Sequence, residues 1–251
     1  MVYSSSSARV GIGGWVFPEW RGDAFYPEGL RQADELAYAS QRLAVIEINA
    51  TFYRTQSAKS FEAWASATPD DFVFTLKAPR AVVMKRELAA TEEAVAWFLG
   101  SGLERLGAKL GPINWQLPRH KRFAREDLAA FLGHLPQSLG TLPLRHALEA
   151  RHESFAEPAA AALLAEHNVA LILAESPSYP RFDADTASFR YARLMLTEED
   201  EPQGCSAPEL SRLAEMVRTW AKPGFVFFID GAKARNPAAA MALQQHLTAT
   251  S

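Results

Sequence analysis

The chain has few of the residues that usually announce a chemistry. Cysteine occurs once, as Cys205. No intramolecular disulfide can form, which fits a reducing compartment. Cys205 lies in the polar run DEPQGCSAPE without an adjacent basic residue, so little there favours a reactive thiolate. Long apolar runs are also missing, and none approaches the ~20 residues a membrane helix needs. The opening MVYSSSSARV lacks a charged n-region and a long apolar core, so it does not read as a signal peptide. These absences lead us to expect a soluble cytoplasmic protein with no membrane partner and a flexible N-terminus over residues 1–8. Neither sign of charge dominates. Lys and Arg number 26 against 29 Asp and Glu, a net charge of −3, which exerts no global pull on nucleic acid. There is no internal repeat and no linker-like stretch. The segment GIGGW at 11–15 is glycine-rich but is not the G-x-G-x-x-G of dinucleotide sites. No Ser or Cys nucleophile motif is present.

What is present is an alternation. Short β-branched or aromatic runs recur at 9–15, 44–53, 71–80, 111–118, 145–152, 169–176, 189–196 and 224–230, each bounded by Pro, Gly or polar residues. Helical patterns lie between them at 32–43, 57–68, 91–107, 125–135, 158–168, 207–221 and 236–247. Ser57 reads as an N-cap, and Asn236 as another with Pro237 in the first turn. Only the segment after the sixth strand, PSYPRFDADTAS, shows no helix. About eight alternations in 251 residues, 48% of them hydrophobic, predict an α/β fold: a single-domain TIM-type (β/α)8 barrel over residues 9–251. A doubly wound open sheet is the alternative.

Barrel strands alternate between the interior and the helix layer. In the second strand Ile46, Ile48 and Phe52 share one parity and Glu47, Asn49, Thr51 and Tyr53 the other. The apolar set should meet the helices and the polar set should face inward. The same reasoning turns Thr75 and Lys77, Asn114 and Gln116, Glu149 and Arg151, and Tyr191 and Arg193 inward. Glu175, at the end of the sixth strand, shares parity with Leu171 and Leu173. Asp230 joins the mouth if the eighth strand ends in a turn, and His152 only if the fifth strand ends there. Most of these residues fall late in their strands, at the C-terminal face where barrel active sites sit. Arg80, Lys85 and Arg86 follow strand three, and Arg119, His120, Lys121, Arg122 and Arg125 follow strand four, opposite an acidic loop, Glu198–Glu201. Trp15 and Trp20 offer stacking surfaces after strand one.

A structural salt-bridge network would account for this crowd of charges. Buried ion pairs, however, add little net stability compared with apolar packing. So many charges at one mouth are better explained by a ligand. The candidate proton carriers are Glu149, Glu175, His152 and Asp230. Lys77, Arg80, Arg151 and Arg193 would hold an anion, with Glu47, Asn49, Tyr53, Gln116 and Trp15 completing the pocket. Histidine is scarce and three cations would repel a metal ion, so metal-independent hydrolase, isomerase or lyase chemistry with no cofactor is expected. A Schiff-base role for Lys77 is a further option. The partner is then a small anionic substrate, phosphorylated compounds included. The alternative is a nucleic-acid-binding or repair-related protein using the basic loops after strands three and four.

Several ordered segments carry a resemblance: GWVFPEWRGDAFYPEGL (14–30), IEINATFYRTQS (46–57), FTLKAPR (74–80), KLGPINWQLP (109–118), LEARHESF (148–155), YARL (191–194) and NPAAAMAL (236–243). Together they resemble the domain of unknown function 72 family, also called YecE-like, over nearly the whole chain. The resemblance implies a TIM barrel related in shape to sugar-isomerase and endonuclease IV-like barrels, and no particular activity. The chain departs from the family pattern in three places. Ile12-Gly13-Gly14-Trp15 replaces the usual Thr-Ser-Gly-Trp. Arg193-Leu194-Met195-Leu196 replaces Arg-Leu-His-Gly, so a histidine is absent. Phe228-Ile229-Asp230-Gly231 replaces the usual Asn-Asn-Asp stretch.

Overall fold

The alternating runs form parallel strands. The computed structural model describes residues 8–22 and 24–249, so all of the expected flexible N-terminus except Ala8 lies outside the described residues. The strands are β1 (Ala8–Gly13), β2 (Val45–Ile48), β3 (Val73–Lys77), β4 (Leu110–Gln116), β5 (His146–Glu149), β6, β7 (Arg190–Leu194) and β8 (Gly224–Phe228). β6 consists of two runs, Val169–Leu171 and Leu173–Glu175, separated by Ile172. The first run pairs with β5 and the second with β7. Between them the sheet passes through β4, β3, β2, β1 and β8, all parallel. It starts and finishes on the same strand, which makes it a closed eight-stranded barrel.

The helices are α1 (Glu35–Ser40), α2 (Ala58–Ser66), α3 (Glu92–Leu99), α4 (Arg125–Gly133), α5 (Pro158–Glu166), α6 (Ala207–Arg218) and α7 (Asn236–Thr248). No helix follows β6, as the sequence suggested. Ser57 caps α2, its hydroxyl accepting from the Ser60 amide. α3 is shorter than its pattern. It stops at Gly100, and Gly102 adopts φ +101, a left-handed conformation that L side chains rarely enter.

The parity rule divides the core in two. Leu148, Leu171, Leu173, Ala192 and Leu194 pack outward under the helices. Val45, Val73, Ala147, Ile172, Phe225 and Phe227 fill the lower barrel interior, with Tyr191 stacked on Phe227 at 5.0 Å. Apolar packing thus fills the bottom and leaves the top to polar side chains.

Two local expectations need correction. The second strand does not run to residue 53. It ends at Ile48, and Ala50–Tyr53 forms a single helical turn, so period-two parity stops applying there. Nor is Asn236 the cap of α7. Arg235 holds that position, and the Asn236 side chain turns inward instead, accepting from Thr197 Oγ1 at 2.8 Å and donating to the Asp230 carbonyl at 3.2 Å.

Candidate active site at the barrel mouth

The upper interior is a charge network centred on Arg193. Its Nη2 donates to Glu47 Oε1 at 2.8 Å and its Nη1 to Gln116 Oε1 at 2.8 Å, and Nη1 also pairs with Glu149 Oε2. Glu47 further accepts from Tyr191 Oη at 2.6 Å and Asn114 Nδ2 at 3.0 Å. Glu149 also accepts from Arg151 Nε at 2.5 Å. Arg151 extends the net through Gln116 at 3.0 Å and Tyr179 Oη at 2.9 Å. Strand register builds this arrangement. Lys77 lies beside Asn114 and Gln116 beside Glu149, so inward residues of neighbouring strands meet at one height.

Glu47 and Glu149 are fully buried and Arg193 nearly so. Burial alone would raise the Glu47 carboxyl. Arg193, Tyr191, Lys77 and Asn114 together outweigh it and hold the group below its ordinary range. Burial would likewise ease a proton off Arg193, but Glu149 and Glu47 raise its affinity instead. Burial and the adjacent Glu47 push the Tyr191 phenol well up. Glu47 therefore stays charged, Tyr191 neutral and Arg193 charged around neutral pH.

Lys77 behaves differently. Burial, then Arg193, lower its ammonium to about 8 against the pull of Glu47 and Glu149. Among the described residues its Nζ has no hydrogen bond or ion pair, only the face of Phe52 at 4.3 Å. The two neighbouring carboxylates are already occupied by guanidinium, phenol and amide donors.

Above the network opens a cavity of about 300 Å³, lined by Lys77, Arg151, Arg193, Gln116, Asn49 and Tyr53 on one side and by Asp230, Lys233 and Phe17 on another. Asp230 arrives through a turn of the kind the sequence argument required. It and Gly231 adopt φ +52 and +57, and Asn236 and Thr197 hold the Asp230 carbonyl. Gly13 forms part of the wall, and a Cβ there would stand 2.8 Å from Asn49 Nδ2 and 2.9 Å from Ile229 Cγ2, so a side chain would have to displace both.

Not every expected residue reaches this cavity. Glu175 keeps the outward parity of Leu171 and Leu173, and pairs with Arg181 at 3.0 Å and Arg212 of α6 at 3.3 Å. His152 caps the short 3-10 turn Glu153–Ala156, its Nδ1 accepting from the Ser154 amide at 3.1 Å. Trp15 packs into the helix layer, edge-on to Trp64 at 5.3 Å. Trp20, not Trp15, forms part of the cavity wall. Arg80 is exposed at the start of the one-turn helix Arg80–Val83 and does not line the cavity. Tyr53 does line it, but from the helical turn after β2 and with most of its surface exposed. Cys205 is buried, and burial with Glu209, Glu198 and Glu201 pushes its thiol up to about 11, the setting of an inert thiol.

Among the described residues no group of three or more His, Cys, Asp or Glu is placed to share a metal ion. Nor is any described helix long and apolar enough to cross a membrane.

A family profile described as "Protein of unknown function DUF72" matches residues 9–251. The chain belongs to the DUF72 family. The Bacillus subtilis (strain 168) protein described as UPF0759 protein YunF is 28% identical over 154 residues, 59% of this chain. The aligned region covers 52% of that relative, so the chain spans about half the length of the curated protein it matches. Among solved structures, a DUF72 family protein from Thermotoga maritima MSB8 is 26% identical with a TM-score of 0.72, covering 94% of this chain and 96% of that one. Another DUF72 family protein, from Enterococcus faecalis V583, has a TM-score of 0.74 at 18% identity, covering 96% and 98%. An AP endonuclease, family 2, from Brucella melitensis shares the fold with a TM-score of 0.54 at 13% identity, over 91% and 96%.

Sequence reasoning missed several contributors to this DUF72 mouth, Phe17, Lys233, Asn236 and Tyr179 among them. Phe17 lies in a loop and Lys233 in the short 3-10 turn Lys233–Arg235, where no periodicity assigns a direction. Asn236 had a ready alternative explanation as a helix cap. Its signal was only that a capping residue beside a strand end can also reach inward.

Proposed function

We propose that the barrel mouth binds a small anionic metabolite and acts on it by acid–base chemistry. The observation that carries this reading is the charge balance of the cavity: its two buried carboxylates are consumed by internal donors, while Lys77 and Lys233 have no internal partner among the described residues. Arg193 Nε is likewise buried without a partner among the described residues, so the network has donor capacity to spare. A volume of about 300 Å³ is at the low end of the ~300–1,000 Å³ typical of small-molecule sites. It suits a metabolite and is too small for a polymer. Asp230, at the lip and without an ion pair among the described residues, is the proton carrier in this reading. Glu149 and Glu47 act instead as counter-charges that hold the guanidiniums in place. Glu175 and His152, outside the cavity, have no part in it.

The test is thermal unfolding with and without inorganic phosphate and small phosphorylated or carboxylated compounds. Stabilisation of the native chain that is lost in Lys77→Met supports the reading. An unchanged melting temperature across all of them sinks it.

A second reading has one observation in its favour. Lys85, Arg86, His120, Lys121 and Arg122 line a separate surface groove of about 430 Å³ between the loops after β3 and β4. Nucleic acid on that groove would bind with a steep inverse salt dependence. The Lys121 ammonium is already held by Asp127 at 2.7 Å and the Arg86 carbonyl at 2.6 Å, which weakens this reading. A salt titration of oligonucleotide binding decides it, and absence of binding at low salt excludes it.

A further inference from the structure

We infer that Lys77 is a nucleophile that forms an imine with a small anionic carbonyl compound, a 2-oxo acid or a ketone phosphate. The inference rests on the anion-binding reading of the mouth and deepens it by naming the reacting atom and the substrate class.

Position is the first argument. Lys77 is the last residue of β3, at the C-terminal face, and its side chain lines the cavity. The reactive residues of barrels occupy such strand ends. The second argument is partnership. A structural lysine in a charged interior would be paired, yet Arg193 and Arg151 take both nearby carboxylates, and the Lys77 ammonium meets only the ring of Phe52 at 4.3 Å. Leaving a partly buried cation unpaired beside two guanidiniums costs stability, and nothing in the packing requires it. The third argument is proton affinity. A lysine becomes nucleophilic near neutrality when it is desolvated and placed next to another cation, and burial and Arg193 are the two leading causes that lower Lys77 to about 8. The surroundings complete the site. Lys233 supplies a further positive charge for the substrate's anionic group, and Asp230, which lines the same cavity without an ion pair among the described residues, is the proton carrier.

The step balances without any co-reactant. The Lys77 amine, its proton released to solvent, attacks the carbonyl carbon. A C–N bond forms and the carbonyl π pair moves to oxygen. Asp230 takes one proton from nitrogen and passes it to that oxygen, the proton released at the start returns from solvent to the same oxygen, and water leaves. Ammonium plus ketone have become protonated imine plus water, with no change of oxidation state.

The experiment incubates the full chain with pyruvate or with dihydroxyacetone phosphate, adds sodium borohydride, and maps peptides by mass spectrometry. In parallel, trace acetic anhydride labelling across pH compares Lys77 with the exposed Lys59. The expected result is a reduced adduct on the peptide carrying Lys77, absent from Lys77→Met, together with a Lys77 labelling midpoint well below that of Lys59. No adduct with either compound, or labelling of Lys77 in step with Lys59, overturns the inference. The phosphate melt separates the two levels. Phosphate stabilisation without an adduct sinks the imine and leaves anion binding standing. Loss of both sinks both.

Discussion

Lys77 sits where its charge is disfavoured, and the disadvantage is measurable. In the folded chain its proton is held at about 8, against 10.5 for an unperturbed lysine. The unfolded state therefore binds that proton more tightly, and stability from this group rises as pH climbs from 8 to 10.5. Lys77→Met should raise the unfolding free energy at pH 7 by about 1–3 kcal/mol, with the gain shrinking towards pH 10.5. Urea denaturation at the two pH values reads this directly. A binding residue that weakens its own fold is the usual trade of function against stability. Tyr191 shows the reverse. Its hydroxyl donates to a fully buried carboxylate, and Tyr191→Phe should cost about 1.5–3 kcal/mol. Glu47 adds a pH dependence of the same sign, in the acid range. Its folded carboxyl lies below the ordinary value of 4.5, so the stability it contributes is intact above that pH and is lost as pH falls through the lower folded value. Glu47→Gln should therefore flatten the acid limb of the stability profile.

Among the elements, the strands were legible because parity is a steric property of the backbone, and it holds as long as the chain stays extended. Lys77, Gln116, Glu149 and Arg193 were placed correctly for that reason. The outward direction of Glu175 was already implicit in the parity it shares with Leu171 and Leu173. Proximity to the mouth alone does not bring a residue inside. Tyr53 reaches the cavity from a helical turn and not from a strand, and His152 stays outside it, because the extended backbone had ended before them, at Ile48 and Glu149. Residues of short turns and loops, such as Lys233 and Phe17, carry no periodic signal. The turn after β8 shows what local conformation adds. Gly231 adopts φ +57, and a Cβ there would meet Thr197 Oγ1 at 2.6 Å. Gly231→Ala should cost at least about 1–2 kcal/mol, read by urea denaturation, because it strains the turn that carries Asp230. Gly133→Ala, which meets nothing within 4 Å, is the control and should not lower stability.

At the scale of the molecule, a net charge of −3 gives the protein no long-range attraction for anions, so the anion binding proposed above rests on the mouth alone. Anion binding there should weaken only modestly with salt, because Lys77 and Arg193 are shielded from the solvent's ions by burial. Isothermal titration with phosphate at low and high chloride measures this, and a steep decline would place the anion on the exposed loops instead. Closure of the barrel matters equally. β1 is hydrogen-bonded to both β2 and β8, and α7 packs against the same core as Val10 and Ile12, so chain ends and middle share one interior. Removing residues 236–251 should abolish cooperative unfolding, not merely lower its midpoint, as seen by near-ultraviolet circular dichroism.

The divided strand β6 gives the charge network a mechanical meaning. Its first run is bonded only to β5 and its second only to β7, so the barrel wall is a ramp that returns to the same strand a few residues higher, with a landing at Ile172. A ramp has a seam where a ring has none. Glu149 stands on one flank of that seam, on β5, and Arg193 on the other, on β7. Their ion pair crosses the interior from flank to flank. It is a strap over the joint of the barrel, and whatever enters the cavity settles directly above it.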